Sequence, residues 1–151
     1  REVHKKWFIR QMGLARELGL PIAVHSRDAA KDTFDLIAEY GKELSGVIHC
    51  YSYSPEMAAE YVKMGYHIGL GGVVTFKNAK KAKETAGKIP LERIVLETDC
   101  PYMAPVPFRG KRNCSAYIDY VADEIGRIRG ISKEEVIAVT ERNAKRLFTI
   151  S

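Results

Sequence analysis

Hydrophobic and polar positions along the chain follow two alternating patterns. Short apolar runs predict buried strands, and apolar residues spaced three and four positions apart predict helices. The predicted strands cover residues 21–25, 46–50, 66–70 and 93–99. These strands are too apolar to have one solvated face, which is typical of a parallel sheet covered by helices.

Helical patterns precede, separate and follow these strands. The helical period over residues 2–18 predicts a first helix with one apolar face, formed by Val3, Trp7, Phe8, Met12, Ala15 and Leu18. A second helix is predicted over residues 28–40, and Ser54 followed by Pro55 predicts the start of a third. A lysine-rich stretch near residue 80 is the fourth helical segment. Two helices close the chain, and Ser132 with Glu135 forms the capping box that opens the last one.

Repeated strand–helix units predict an α/β fold with about four parallel strands. Such sheets are either open or closed into eight-stranded barrels, and a barrel needs about 250 residues. The chain has 151 residues. A barrel with only four of its strands here would therefore be half of one.

Composition adds few constraints. The chain is 46% hydrophobic and 28% charged, as in ordinary globular domains, and its net charge of +5 permits anionic partners without requiring them. Three cysteines without CxxC spacing argue against a disulfide framework and favour a reducing, cytoplasmic location. No apolar run is long enough to predict a membrane span.

Candidate chemistry is concentrated where the predicted strands end. His25 and His49 end the first two strands, and Glu97 and Asp99 end the fourth. Because the carboxyl ends of parallel strands meet at one edge, we expect these groups to lie close together. Imidazole and carboxylate together are ligands for a divalent cation such as Zn²⁺ or Mn²⁺. Glu97 and Asp99 are two positions apart and should face the same side of the strand.

Other polar features suggest less chemistry. Cys50 and Cys100 follow His49 and Asp99 and are expected to be small buried residues, whereas Cys114 could be a reactive thiol. The glycines of residues 69–72 match no nucleotide-binding motif and are expected to allow a tight turn.

Several segments strongly resemble TatD-family metal-dependent deoxyribonucleases. They are PIAVHSRD at 21–28, VIHCYS at 47–52, GGVVTFKNA at 71–79, LETDCPY at 96–102, APVPFRGKRN at 104–113, and Asn143-Ala144 before Leu147-Phe148. The resemblance implies an amidohydrolase-like (β/α)8 TIM barrel that hydrolyses phosphodiester bonds in DNA with a metal-activated water. Its cofactor would be Mg²⁺, Mn²⁺ or Zn²⁺, with up to two ions in the complete protein.

The resemblance also implies roles for individual residues. His25, His49 and Asp99 correspond to metal ligands, Asp99 also to the catalytic aspartate, and Glu97 to a residue that supports the ligands. The expected phosphate-binding residues are Arg27, Arg109, Lys111 and Arg112. The pair Cys114-Ser115 departs from the family pattern, in which Pro is usual two residues after the position of Asn113.

The family's His-x-His on strand one and bridging Glu on strand four have no counterpart in this chain. Because the chain starts with Arg1 inside a helical pattern, we expect residues 1–151 to be the carboxyl-terminal part of one barrel domain, with strands five to eight. The alternative is a catalytically incomplete half-barrel that acts as an association module. Such a module would self-associate, or it would need an amino-terminal piece to complete the site. A plain basic nucleic-acid-binding domain is a third alternative, but it would not require His and Asp at three strand ends.

Overall fold

Four parallel strands form one sheet with its strands in chain order, in a computed structural model that describes residues 2–150. The strands are β1 (Ile22–His25), β2 (Gly46–His49), β3 (His67–Leu70) and β4 (Ile94–Leu96). The helices are α1 (Glu2–Leu18), α2 (Ala30–Tyr40), α3 (Pro55–Lys63), α4 (Lys80–Lys88), α5 (Ile118–Arg129) and α6 (Lys133–Phe148). Short 3-10 turns cover Gly72–Thr75, Leu91–Arg93 and Ser115–Tyr117. The prediction of an α/β fold with four parallel strands is confirmed.

The two faces of the sheet have different neighbours. Val24, Ile48, Ile68 and Ile94 belong to the main core, together with buried residues of the helices. On the opposite face, Val47 and Val95 pack with Leu147 of α6 in a second, smaller cluster. Because side chains alternate along a strand, His25 and His49 lie on this second face.

Two of the predicted helix starts are confirmed in detail. The Ser54 hydroxyl accepts a hydrogen bond from the Met57 N–H at 3.3 Å, with Pro55 at the first helical position. The Ser132 hydroxyl accepts from the Glu135 N–H at 3.1 Å. These bonds satisfy N–H groups that have no partner inside the helix.

The apolar face predicted for α1 is only partly buried. Met12 and Ala15 are buried and Phe8 is half-buried, but Val3, Trp7 and Leu18 are each more than half exposed. The reason is that α1 packs mainly against α2, which covers a strip narrower than the sequence pattern. None of the helices within residues 2–150 is both long and apolar enough to cross a membrane.

Several predicted boundaries were wrong next to the strand ends. The second and fourth strands end at His49 and Leu96 rather than at residues 50 and 99, and α2 begins at Ala30 rather than at residue 28. The backbone turns at these points: Asp28, Cys50 and Asp99 have φ values of 54°, 49° and 54°. This left-handed conformation cannot continue a strand.

Candidate metal centre

His25 and His49 are direct neighbours across β1 and β2. They are partners in the strand register, and their ring centroids are 5.6 Å apart with a 42° tilt. His25 is exposed and the side chain of His49 is 28% exposed. The two imidazoles that the sequence predicted to meet therefore do meet, at the carboxyl ends of their strands.

Glu97, the first residue after β4, binds His49. Its Oε2 lies 2.7 Å from Nδ1 of His49, and its Oε1 accepts the Cys50 N–H at 2.8 Å. Burial raises the pKa of Glu97 above its usual value, although His49 and the Cys50 N–H act in the opposite direction. The carboxylate thus fixes the imidazole and the backbone beside it, which agrees with the expected supporting role.

Asp99 lies on the other side of the His49 ring. Its Oδ1 is 3.3 Å from Nε2 of His49, and its side chain is 35% exposed. Glu97 and Asp99 both lie beyond the end of β4, so they do not share a strand, and Asp99 has a positive φ. The turn places the two carboxylates on opposite nitrogens of one imidazole instead.

This donor set is compatible with a divalent cation. When Nδ1 carries the proton that it shares with Glu97, Nε2 is an acceptor that faces the acceptor Oδ1 of Asp99. Two acceptors repel each other. A cation bound by both Nε2 and Oδ1, or a second proton on the imidazole, makes the contact attractive. Within residues 2–150, however, no group of three or more His, Cys, Asp or Glu side chains is arranged to hold a metal ion by itself. The described residues therefore fit a metal as part of a ligand set.

Two glycines provide the space that the strand ends require. A Cβ on Gly69 would collide with Oε2 of Glu97, and one on Gly72 would collide with the carbonyl of Met103. A 3-10 turn begins at Gly72, as the sequence predicted, but neither glycine has a positive φ, so what each position requires is close approach. In the sequence, these glycines appear only as small residues at the end of a strand. That pattern does not show that Glu97 and Met103 are the groups that approach them.

Asn113 fixes the loop that carries Asp99, and sequence reasoning gave it no role. The residue is 4% exposed, and its Nδ2 donates to the carbonyls of Thr98 and Tyr102, both at 2.7 Å. Its backbone N–H donates to the Pro101 carbonyl at 3.0 Å. Asn113 therefore ties together the backbone on both sides of Asp99.

Arg27 and His25 line the same cavity. This cavity of about 690 Å³ lies between α1 and β1, and it is also lined by His4, Lys5, Asp28 and Asp32. Lys5 makes an ion pair with Asp32 at 3.5 Å in this cavity. Arg27 is exposed, two residues after His25.

The three other expected phosphate-binding residues lie on the long loop after Asp99. The Arg109 guanidinium carbon lies 4.4 Å from the centre of the Phe76 ring, in a cation–π contact. Lys111 and Arg112 are exposed on the same loop. The structure thus places His25, His49, Glu97 and Asp99 together. Arg27 lies in a cavity that His25 also lines, and Arg109 lies against the Phe76 ring.

Cys50 does not supply a nucleophile at this edge. Burial, with the charges of Glu97 and Asp99, raises the pKa of the Cys50 thiol to about 11, so Cys50 stays protonated at neutral pH. Cys100 is exposed, so the expectation that it is buried was wrong. It lies in the loop, where no strand follows to bury it. Cys114 is also exposed.

The fold and site place the chain among α/β proteins with an imidazole- and carboxylate-lined site at the carboxyl edge of a parallel sheet. Residues 1–149 match the family model described as TatD related DNase, and the chain belongs to that family. Curated relatives include the metal-dependent hydrolase YabD of Bacillus subtilis, 45% identical over 100% of this chain. The metal-dependent hydrolase YcfH of Escherichia coli is 40% identical over 95% of it, and the putative deoxyribonuclease TATDN3 of mouse 36% identical over 98%.

Solved structures show the same fold. The TatD homologue YjjV of Escherichia coli superposes with a TM-score of 0.85 at 29% identity, over 93% of this chain and 54% of that one. An amidohydrolase of Saccharomyces cerevisiae superposes with a TM-score of 0.83 at 16% identity, which supports the fold alone. The chain spans 60% of the length of YabD and 54% of that of YcfH.

Proposed function

We propose that this chain forms the larger part of a metal-dependent hydrolase that cleaves phosphodiester bonds in DNA. The observation that carries the proposal is the His49 imidazole held between Glu97 at 2.7 Å and Asp99 at 3.3 Å, beside His25. Family membership and relatives named as metal-dependent hydrolases support it.

In this proposal His25, His49 and Asp99 hold a divalent cation. Such a cation lowers the pKa of water and offsets charge on phosphoryl oxygens. Glu97 keeps the proton on Nδ1 of His49 and so leaves Nε2 free to act as a ligand. Asp99 lies half-buried at the mouth of the site, where its carboxylate can accept a proton from an attacking water. Arg27, Arg109, Lys111 and Arg112 supply positive charge for substrate phosphates.

Metal binding is the first test. We expect the chain to bind Mn²⁺ or Zn²⁺ weakly in a calorimetric titration, and His25→Ala and Asp99→Asn each to weaken that binding at least about tenfold. His4→Ala is the matched control, because His4 lines the same cavity but is not among the proposed ligands. Unchanged affinity in both ligand variants would exclude the proposed site.

We further propose that β1–β4 correspond to strands five to eight of an eight-stranded barrel. The sheet is open at β1 and β4, and the chain matches 54% of the length of YjjV. The chain alone should therefore turn over substrate slowly or not at all. Mixing it with the part of YabD that it does not cover should produce metal-dependent cleavage of an oligonucleotide, and Asp99→Asn should abolish that cleavage. Full activity of the chain alone would contradict the half-barrel.

A second candidate function is that of an association module, and exposed apolar residues favour it. Val3, Trp7, Leu14, Leu18 and Leu20, on or directly after α1, are each more than half exposed, and β1 is an open edge of the sheet. Open edges and apolar faces favour pairing with a second copy or with an amino-terminal piece. Light scattering after size exclusion tests self-association, since a monomer at high concentration would argue against it.

A further inference from the structure

Tyr102 is the most exposed large apolar side chain within residues 2–150. It is 71% exposed, and its neighbours Met103 and Val106 are 40% and 45% exposed. Burying an aromatic ring of this size releases water from a large apolar area, and the face of the ring suits a flat partner.

The backbone of Tyr102 is fixed even though its ring is not covered. Its N–H donates to the Asp99 carbonyl at 2.9 Å, and its carbonyl accepts from Nδ2 of Asn113 at 2.7 Å. Asn113 is buried, so this anchor is part of the folded structure rather than of a free loop end. The ring is thus held one turn after Asp99 with little backbone entropy left to lose on binding.

The other aromatic residue of this loop behaves in the opposite way. Phe108 stacks on Tyr117 with ring centroids 4.1 Å apart and planes 4° apart, which attaches the loop to the start of α5. No ring of the described chain stacks on Tyr102 in this manner. The ring of Tyr102 is therefore not needed to close the loop, in contrast to that of Phe108.

The loop that carries Tyr102 also carries positive charge. From Cys100 to Ile118 the sequence contains Arg109, Lys111 and Arg112 but no Asp or Glu. A ligand that matches both features has flat rings and phosphates, because aromatic side chains stack on bases while cations contact the backbone of a nucleic acid.

We propose that Tyr102 is a specificity-determining residue that stacks on a nucleobase of a substrate whose phosphate lies at the candidate metal centre. This inference rests on the proposed function, and it adds a contact to the base of the substrate rather than to its phosphate.

The test compares the affinity of the 151-residue chain for a short single-stranded oligonucleotide and for the same oligonucleotide with abasic sites, in EDTA and again in Mg²⁺. Tyr102→Leu should weaken binding of the normal oligonucleotide about 5- to 100-fold and leave the abasic one nearly unchanged. Tyr102→Trp should retain or increase affinity. Tyr40→Leu is the matched control, because Tyr40 is an exposed tyrosine that ends α2, at the opposite edge of the sheet.

A second readout identifies the contact directly. An oligonucleotide with 5-iodouracil forms a photochemical crosslink to a stacked aromatic ring, and mass spectrometry should find that crosslink on Tyr102. Binding that Tyr102→Leu leaves unchanged, or reduces equally for both oligonucleotides, would overturn the stacking role while the proposed function stands. Failure of the wild-type chain to bind either oligonucleotide would overturn both.

Discussion

Replacing Gly69 by Ala should disrupt the candidate site through a single methyl group. The new Cβ would overlap Oε2 of Glu97 and lie 3.2 Å from the carbonyl oxygen of Ile48. The carbonyl belongs to the sheet and cannot move, so the Glu97 carboxylate has to be displaced. That displacement breaks its bonds to Nδ1 of His49 and to the Cys50 N–H, of 2.7 and 2.8 Å.

The expected cost has two parts. Overpacking of a well-packed interior destabilises by about 1–3 kcal/mol. A chain of this size loses about 2–4 °C in Tm for each kcal/mol, so the melting temperature should fall by roughly 2–12 °C. Loss of the carboxylate that orients a ligand histidine costs about 10- to 100-fold in metal affinity. Gly69→Ala should therefore reduce both stability and metal binding.

Thermal denaturation followed by circular dichroism and a Zn²⁺ titration measure the two effects. Gly13→Ala is the control, since its Cβ would meet nothing within 4 Å and alanine should stabilise α1 by about 0.5–1 kcal/mol. In a chain that already carries Glu97→Ala, adding Gly69→Ala should cost little further stability, because the carboxylate that the new Cβ would overlap is gone. Wild-type stability and metal affinity in Gly69→Ala would refute this reasoning.

Two further predictions concern the loop and the surface. Asn113→Ala should lower the free energy of unfolding by about 1–3 kcal/mol in urea, because it leaves the carbonyls of Thr98 and Tyr102 without their donor, while Asn78→Ala at an exposed position should have little effect. The hydrogen bond from Arg127, together with Lys83, lowers the pKa of Glu124 from 4.5 to about 2. Since the folded-state pKa is the lower one, this stabilisation is present above about pH 4.5 and is lost as the pH falls toward 2. Glu124→Gln should cost about 1 kcal/mol at pH 7, because solvent screens the exposed Arg127, and equal urea midpoints at pH 7 would contradict this.

Periodicity and capping rules predicted the order of elements and the strand edge that carries the site. The starts of α3 and α6 were predictable from Ser54 and Ser132, because a side-chain cap is a local interaction. The meeting of His25 and His49 followed from parallel pairing, which aligns strand ends whatever the loops do. The resemblance predicted the family, which the match over residues 1–149 confirms.

Non-local contacts were not predictable in the same way. Glu97 and Asp99 contact opposite nitrogens of the His49 imidazole because the backbone turns at Asp99, which has a positive φ. The alternation of side chains along a strand does not predict such a turn. The buried position of Asn113 arises because residues 98, 101 and 102 return to meet it. Trp7 was predicted to lie on an apolar helix face but is exposed, because an apolar pattern does not show whether another element covers that face.

The left-handed residues at three strand ends have a consequence for how this protein can change. Asp28, Cys50 and Asp99 each adopt a φ near +50°, where a residue with a side chain has a steric cost of about 1–2 kcal/mol that glycine does not have. Glycine would therefore be the more stable choice at each position, yet at Asp99 it would delete the carboxylate beside His49. Selection for thermal stability alone would tend to replace these side chains by glycine. At Asp99, a more stable backbone would therefore come at the expense of a candidate metal ligand.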